Sequence, residues 1–354
     1  MKVAFPWFGY DTLALQGFLE DMGAEVVLPP STSRRTMELG VKFAPELICM
    51  PFKITLGNFI EALEEGADTL LMAAGARKCR FGYYHYLQER ALRVLGKDFT
   101  FVPITQYSAY DFIFRLMPGL FGVSSARVMR GVYLLLAKSA LTRDFRRLLN
   151  RKRAVDFDQA EKLKESAIAM LRNARTLREI KNVRRELGRM FALNGRKPEL
   201  RVGLVGEIFF TVDQFANQEI ERELARLGVE VVFERCLYNH LRHLLKIDFG
   251  YLRSRRLARS YLKECPGGEA LRTTGEAIWF IRNRVDGLVH VFPFTCMPEN
   301  IALEALQRLS ERAGVPLLSL SFDEHTSSTG LITRLEAFVE LLRRRQSAGR
   351  ISGN

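Results

Sequence analysis

Five cysteines in 354 residues are too few for a disulfide scaffold, and an odd number cannot pair completely. No two of them stand as Cys-x-x-Cys, so the common zinc and ferredoxin spacings are missing. No apolar run nears the ~20 residues that a membrane-spanning helix needs. Even Val132 to Leu136, among the greasiest stretches, is closed by Lys138 and flanked by Arg130. The opening Met1-Lys2-Val3-Ala4-Phe5-Pro6-Trp7 meets Tyr10-Asp11 too soon for a secretory signal, which leads to the expectation of a soluble, cytoplasmic protein. The phosphate-cradling Gly-x-x-x-x-Gly-Lys-Ser/Thr is missing, so ATP is not expected to bind. Gly203-Leu204-Val205-Gly206 is only a fragment of a dinucleotide fingerprint.

What the chain does have is enough apolar residue for a sizeable core, 47% against 26% charged. Its length points to two domains or slightly more. The net charge of +13 is concentrated. Between Arg143 and Arg201 there are 18 Lys/Arg and 8 Asp/Glu, a local excess of 18 − 8 = 10. Apolar runs of strand length at Val3–Phe8, Glu25–Leu28, Leu47–Met50, Thr69–Ala73 and Phe99–Ile104 alternate with helical patterns at Thr12–Met22, Ser33–Phe43, Leu56–Glu65 and Tyr83–Leu95. From about Ala109 to Asn194 the strands stop, and the basic excess is expected on the polar faces of helices there. Asn194-Gly195 with Pro198 then reads as a helix stop. Strand candidates resume at Arg201–Val205, Val229–Glu234, Gly287–Phe292 and Pro316–Ser321. Helices are predicted at Asp213–Leu227, Gly268–Asn283, Glu299–Ala313 and Leu331–Arg345. The expected fold is α/β, two doubly wound parallel-sheet lobes with a helical insert between them. The expected domains are 1–108, the basic insert 109–197, and 198–354.

Cys49 and Cys296 both sit in Cys-Met-Pro, read as the same strand-to-helix junction in each lobe, and Cys79 lies in a loop between a strand and a helix. Ligands of open α/β sheets gather at such places, where helix N-termini lower a thiol's pKa. Taken singly, each cysteine reads first as a buried core residue, whereas the repeated context points to ligands. Cys236 and Cys265 lack that context and read as structural. His240 and His243 share a helical face without a third ligand to complete a zinc site. His325 follows a strand end, where a general acid can sit. Glu299 falls in a helix's first turn, where dipole complementation is its plainest role.

The segment Cys49-Met-Pro-Phe-Lys-Ile-Thr-Leu-Gly-Asn-Phe-Ile-Glu-Ala-Leu-Glu-Glu-Gly-Ala-Asp68 and the run Cys79-Arg-Phe-Gly-Tyr-Tyr84 resemble the 2-hydroxyacyl-CoA dehydratase and benzoyl-CoA reductase superfamily, including its acyl-CoA dehydratase activase-related proteins. Gly206-Glu207-Ile208, Phe292-Pro-Phe-Thr-Cys-Met-Pro-Glu299, Asp323-Glu-His-Thr326 and Thr333-Arg-Leu-Glu-Ala-Phe338 extend the resemblance to the C-terminal half. It implies a 4Fe-4S cluster on Cys49, Cys79 and Cys296 with one iron open, taking part in ATP-coupled, low-potential electron transfer. It also implies an ATP-hydrolysing activase, an acyl-CoA substrate, and a homodimer or paralogous second subunit. Arg77, Lys78, Arg80 and Lys53 would then bias the pocket positively, with surface charge as their plainer reading, and His325 and Glu299 are the catalytic candidates. Many relatives carry Gly-Cys-Gly-Pro-Cys where this chain has Gly75-Ala-Arg-Lys-Cys79, which favours a single cluster over a double one. They also carry Gly-Gly-His-Gly where this chain has Pro266-Gly-Gly-Glu269. The alternative readings are a non-catalytic iron–sulfur scaffold and a nucleic-acid binder gripping phosphates through Arg146, Arg147, Arg151, Lys152, Arg153, Arg184 and Arg185. Interleaved acids and the lack of a recognised module disfavour the last. The nucleotide tail of coenzyme A or an acidic electron donor suits the same charge better.

Overall fold

The computed structural model describes residues 1–75, 79–105 and 108–351, the last three by backbone alone. Arg77 and Lys78, expected to flank the site, lie outside the described residues.

Two four-stranded, all-parallel sheets carry the fold. The first contains β1 (Lys2–Ala4), β2 (Glu25–Val26), β3 (Thr69–Ala74) and β4 (Thr100–Thr105) in the order β2-β1-β3-β4. The second repeats that order as β6-β5-β7-β8, from β5 (Leu200–Gly206), β6 (Val229–Phe233), β7 (Gly287–Pro293) and β8 (Leu317–Phe322). Central β7 is buried along its whole length, as a parallel strand covered on both faces must be. In the N-terminal lobe the helices are α1 (Thr12–Asp21), α2 (Arg34–Phe43), α3 (Met50–Glu64) and α4 (Tyr84–Arg93). The expected α/β class with two lobes is what the chain adopts.

Leu47–Met50 is not a strand. Leu47 has φ 56° and is 76% exposed, and the next apolar residues begin α3, six residues earlier than the periodicity predicted. Pro51 explains the early start, since its fixed φ and missing N–H suit the first helical turn. Every residue of α3 from Met50 to Leu63 is buried, so the helix carries no solvent face from which to read a period. It packs closely on α2 through reciprocal glycines. A Cβ at Gly40 would stand 1.7 Å from the Lys53 carbonyl oxygen, and one at Gly57 would stand 1.9 Å from that of Thr36.

Between the sheets, α5 (Ala109–Asp111), a π-helical turn (Phe112–Leu116) and α6 (Met117–Phe121) lead into α7 (Ser125–Arg153), α8 (Phe157–Asn173) and α9 (Leu177–Met190). Among the described residues no single helix is long and apolar enough to cross a membrane; Ala109–Phe121 and Ser125–Arg153 pass that test only as a pair bent by 110°. The basic segment does not simply face solvent, as its polar pattern suggested. Lys138, Arg146, Lys152 and Arg153 of α7 are all buried. Arg146 forks onto Glu221 at 2.7 and 3.0 Å, and Asn150 donates to the same carboxylate at 2.8 Å. Arg153 pairs with Glu161, Arg184 with Asp144 and Arg147 with Glu234. Much of the charge proposed for phosphates thus holds helices together.

The C-terminal lobe adds α10 (Ile208–Val212), α11 (Ile220–Arg226), α12 (Leu237–Leu244), α13 (Phe249–Ala258), α14 (Ala270–Arg282), α15 (Met297–Ala313) and α16 (Ser328–Ile351). The continuous helix expected over Asp213–Leu227 is interrupted, because Gln218 and Glu219 take positive φ and only Ile220–Arg226 is helical. The lobes share one apolar core, in which Met37, Met50 and Ile54 pack with Leu204, Phe209 and Phe322. Thr32 donates to Asp213 at 2.8 Å, and Asp11 accepts from Thr142 at 2.6 Å and from the Leu237 amide at 2.8 Å.

Candidate functional site

Cys49, Cys79 and Cys296 each occupy a helix N-cap, of α3, of the 3-10 turn Arg80–Tyr83 and of α15 respectively. None uses its sulfur in a side-chain cap hydrogen bond. The two Cys-Met-Pro segments are not at the same topological place. Cys296 follows the third strand of its sheet, as Cys79 does, while Cys49 opens the helix that leads into the third strand. The counterpart of Cys49 in the second lobe is Glu269, the N-cap of α14.

The three thiols converge electrically. Charge on Cys49 raises the pKa of Cys79, of Cys296 and of Tyr84, and the Tyr84 side chain hydrogen-bonds to Cys49. Arg80 donates to the Leu47 carbonyl at 3.0 Å, tying the Cys79 turn to the residues just before Cys49.

Cys79 and Cys296 are not lowered in pKa, as helix N-termini alone would have them. Burial pushes Cys79 up to about 11, with Glu207, Cys49 and Glu269 adding to it against the Phe81 amide. Burial, then Glu299, Glu207 and Cys49, push Cys296 up as well, and the Glu299 amide offsets only part. Of the expected cations only Arg80 and Lys53 lie among the described residues, and carboxylates join burial in raising both thiols. Lys53 is buried, but its ammonium is taken by Glu324 at 2.5 Å.

Glu207, which the sequence offered only inside a motif, is the residue that the structure adds. It follows β5, caps α10 by accepting the Phe210 amide at 3.1 Å, and is pushed up to about 8, chiefly by burial and also by Glu299 and Glu269. Glu299 is fully buried, 3.0 Å from both the Thr273 hydroxyl and His290 Nε2, while His290 Nδ1 meets Ser319 at 3.1 Å. Thr273 accepts from Arg235, which also holds Glu276 at 2.8 Å and Glu269 at 2.9 Å. Despite the opposing effect of burial, Arg235, Arg272 and the two histidines His240 and His243 keep Glu269 below the usual carboxylate value. His240 is itself lowered to about 4 by burial. His325 is exposed in the loop after β8, its amide donating to Asp323 at 3.0 Å. Cys236 is buried and Cys265 exposed.

Among the described residues no three His, Cys, Asp or Glu side chains gather closely enough for a single metal ion. The cysteines form a wider set of soft donors, coupled in charge.

Two family models match this chain. The model for 2-hydroxyglutaryl-CoA dehydratase, D-component, spans residues 137–342, more than half of the length. The chain belongs to that family. A second model, described as the CoA enzyme activase uncharacterised domain, matches residues 8–73, including Cys49 and α3. No curated protein matches the chain. The family boundary at residue 137 falls within α7, so the dehydratase-component match takes in most of the insert together with the second sheet up to α16. The chain is therefore a dehydratase-like component joined to an activase-related segment.

Proposed function

We propose that this chain is an iron–sulfur subunit acting in ATP-coupled, low-potential reduction of an acyl-CoA, with Cys49, Cys79 and Cys296 holding a 4Fe-4S cluster. The observation that carries the reading is the electrical convergence of three helix-capping thiols drawn from both lobes. The donor set fits such a group. Cys79 and Cys296, kept protonated chiefly by burial, would be released as ligands when metal cations supply positive charge. A set too wide for one ion suits a polynuclear group that takes one thiolate per metal atom. When bound, a cluster supplies one-electron transfer at low potential.

The chain's own residues do the rest. Tyr84 holds Cys49 through its hydroxyl, Arg80 fixes the Cys79 turn, and Lys53 with Glu324 pins α3 to the opposite lobe. Glu207 keeps a proton near neutral pH, which suits a group that hands a proton to a reducing substrate. Glu299 sets the field at Cys296 and is itself held by Thr273 and His290. The Gly-x-x-x-x-Gly-Lys-Ser/Thr motif is missing from the sequence, so ATP would be used by an activase partner.

Anaerobic purification with iron and sulfide analysis, and electron paramagnetic resonance of the reduced protein, test this. Four irons per chain, lost in Cys79→Ala and kept in Cys236→Ala, are expected. An iron-free preparation that resists reconstitution, or equal loss in both variants, would refute the assignment. Turnover of a 2-hydroxyacyl-CoA with activase and reductant separates catalysis from a scaffold role.

A further inference from the structure

A hollow of about 220 Å3 lies apart from the cysteines, between α1, α7 and the α8–α9 turn. Phe18, Leu134, Leu135 and Ile180 make much of its wall apolar, and Lys138 and Arg175 bring cations to it. Arg175 is paired with Glu20. Lys138 is not so matched. Its side chain is 5% exposed, its hydrogen bond goes to the Arg172 carbonyl at 3.1 Å, and no carboxylate forms an ion pair with it among the described residues. A buried ammonium lacking a counter-ion is costly until an anion joins it. Burial, and then Arg175, bring its pKa down to about 8, with Glu20 and Glu179 acting the other way.

The close approach of that amine to α1 is built in. Gly17 lies inside α1, where glycine weakens a helix. A Cβ there would sit 3.3 Å from Lys138 Nζ and 3.7 Å from Arg175 Nη1. Size and lining then select the occupant. The hollow is too small for a drug-sized ligand, yet it has room for roughly six to ten heavy atoms. Glu20 is already neutralised by Arg175, whereas Asp21 also lines the wall and opposes a second negative charge.

We propose that this hollow binds a small monocarboxylate with a short apolar chain, its carboxylate on Lys138 and its chain against Phe18, Leu134, Leu135 and Ile180. None of these residues belongs to the cysteine site, so this is a second, separate ligand position. A dianion such as phosphate fits the cation but neither the apolar wall nor Asp21.

Isovalerate and butyrate titrated into the full-length protein, followed by calorimetry and thermal unfolding, test it against inorganic phosphate at equal ionic strength. Saturable binding of isovalerate with a rise in Tm is expected. The binding should be lost in Lys138→Met and weakened at least tenfold in Gly17→Ala. Should Lys138→Met not fold, the lysine ε-carbon resonance of Lys138 in the native protein should shift on adding isovalerate. No binding of either acid, equal response to phosphate, binding unchanged in the variants, or an unmoved Lys138 resonance would overturn the proposal.

Discussion

Lys53 Nζ lies 2.5 Å from a carboxylate oxygen of Glu324, and the two residues come from different lobes, one on α3 and the other in the loop after β8. The lysine is 7% exposed and the glutamate 24%. Glu324→Gln leaves a buried ammonium unpaired and should destabilise the protein by about 2 kcal/mol, below the range for a fully buried pair because the glutamate is part-exposed. Lys53→Met should cost less. Urea unfolding of the two variants checks the asymmetry, and equal losses would contradict it.

The same pair sets an acid limit. Against the effect of burial, the hydrogen bond and charge of Lys53 hold Glu324 below its ordinary value. A carboxylate depressed in the folded state gives stability that is present above its unfolded pKa and lost as pH falls through the folded one. Stability should therefore decline below about pH 4.5, with part of that decline missing in Glu324→Gln. Unfolding midpoints from pH 6 to pH 3 provide the comparison.

Glu207 acts in the opposite sense. Its folded pKa of about 8 exceeds the ordinary 4.5, so the native state binds the extra proton. The cluster-free protein should lose stability as pH rises from about 4.5 to 8 and level off above. Glu207→Gln can still accept the Phe210 amide and should flatten that slope. A slope unchanged by the substitution would mean that other buried acids, Asp213 at about 6 among them, carry it all.

Thiol reactivity gives a direct reading of the pocket. With Cys79 near 11, its alkylation in the cluster-free protein should be slow at pH 8 and climb toward pH 11, while exposed Cys265 reacts first. Glu207→Gln removes one neighbouring charge and should shift the Cys79 profile to lower pH. Mass spectrometry of peptides after timed labelling follows each site separately.

The buried arginines of α7 should prove structural. Arg146→Met strands Glu221 at 5% exposure and should cost about 3–5 kcal/mol, whereas Arg184→Ala at the surface should cost under about 1 kcal/mol. Denaturant midpoints decide, and a small loss at Arg146 would return that charge to the pool available for partners.

The eight strands were legible as short apolar runs, most plainly β3, β5 and β7, which are buried along nearly their whole length. The false one, Leu47–Met50, shows the limit, since a turn residue and the first turn of a wholly buried helix look the same in one dimension. The helix starts at Cys49 and Cys296 were legible from Cys-Met-Pro, and that at Cys79 from its loop between a strand and a helix, though not the topology that pairs Cys296 with Cys79. Glu207 and the sign of the thiol shifts were not legible. They depend chiefly on burial, and then on Glu299 and Glu269, which only the folded second lobe brings near. The arginines of α7 looked solvated because their carboxylate partners, Glu221 and Glu234, lie far along the chain.

The repeated strand order has a chemical result. Four helix starts correspond between the halves, and three present sulfur while the fourth presents the oxygen of Glu269. The repeated strand order is thereby made unequal, with soft donors at three corners and a hard, arginine-steadied one at the last. A molecule reaching these helix starts would not meet two equal halves, because one of the four offers oxygen where the others offer sulfur.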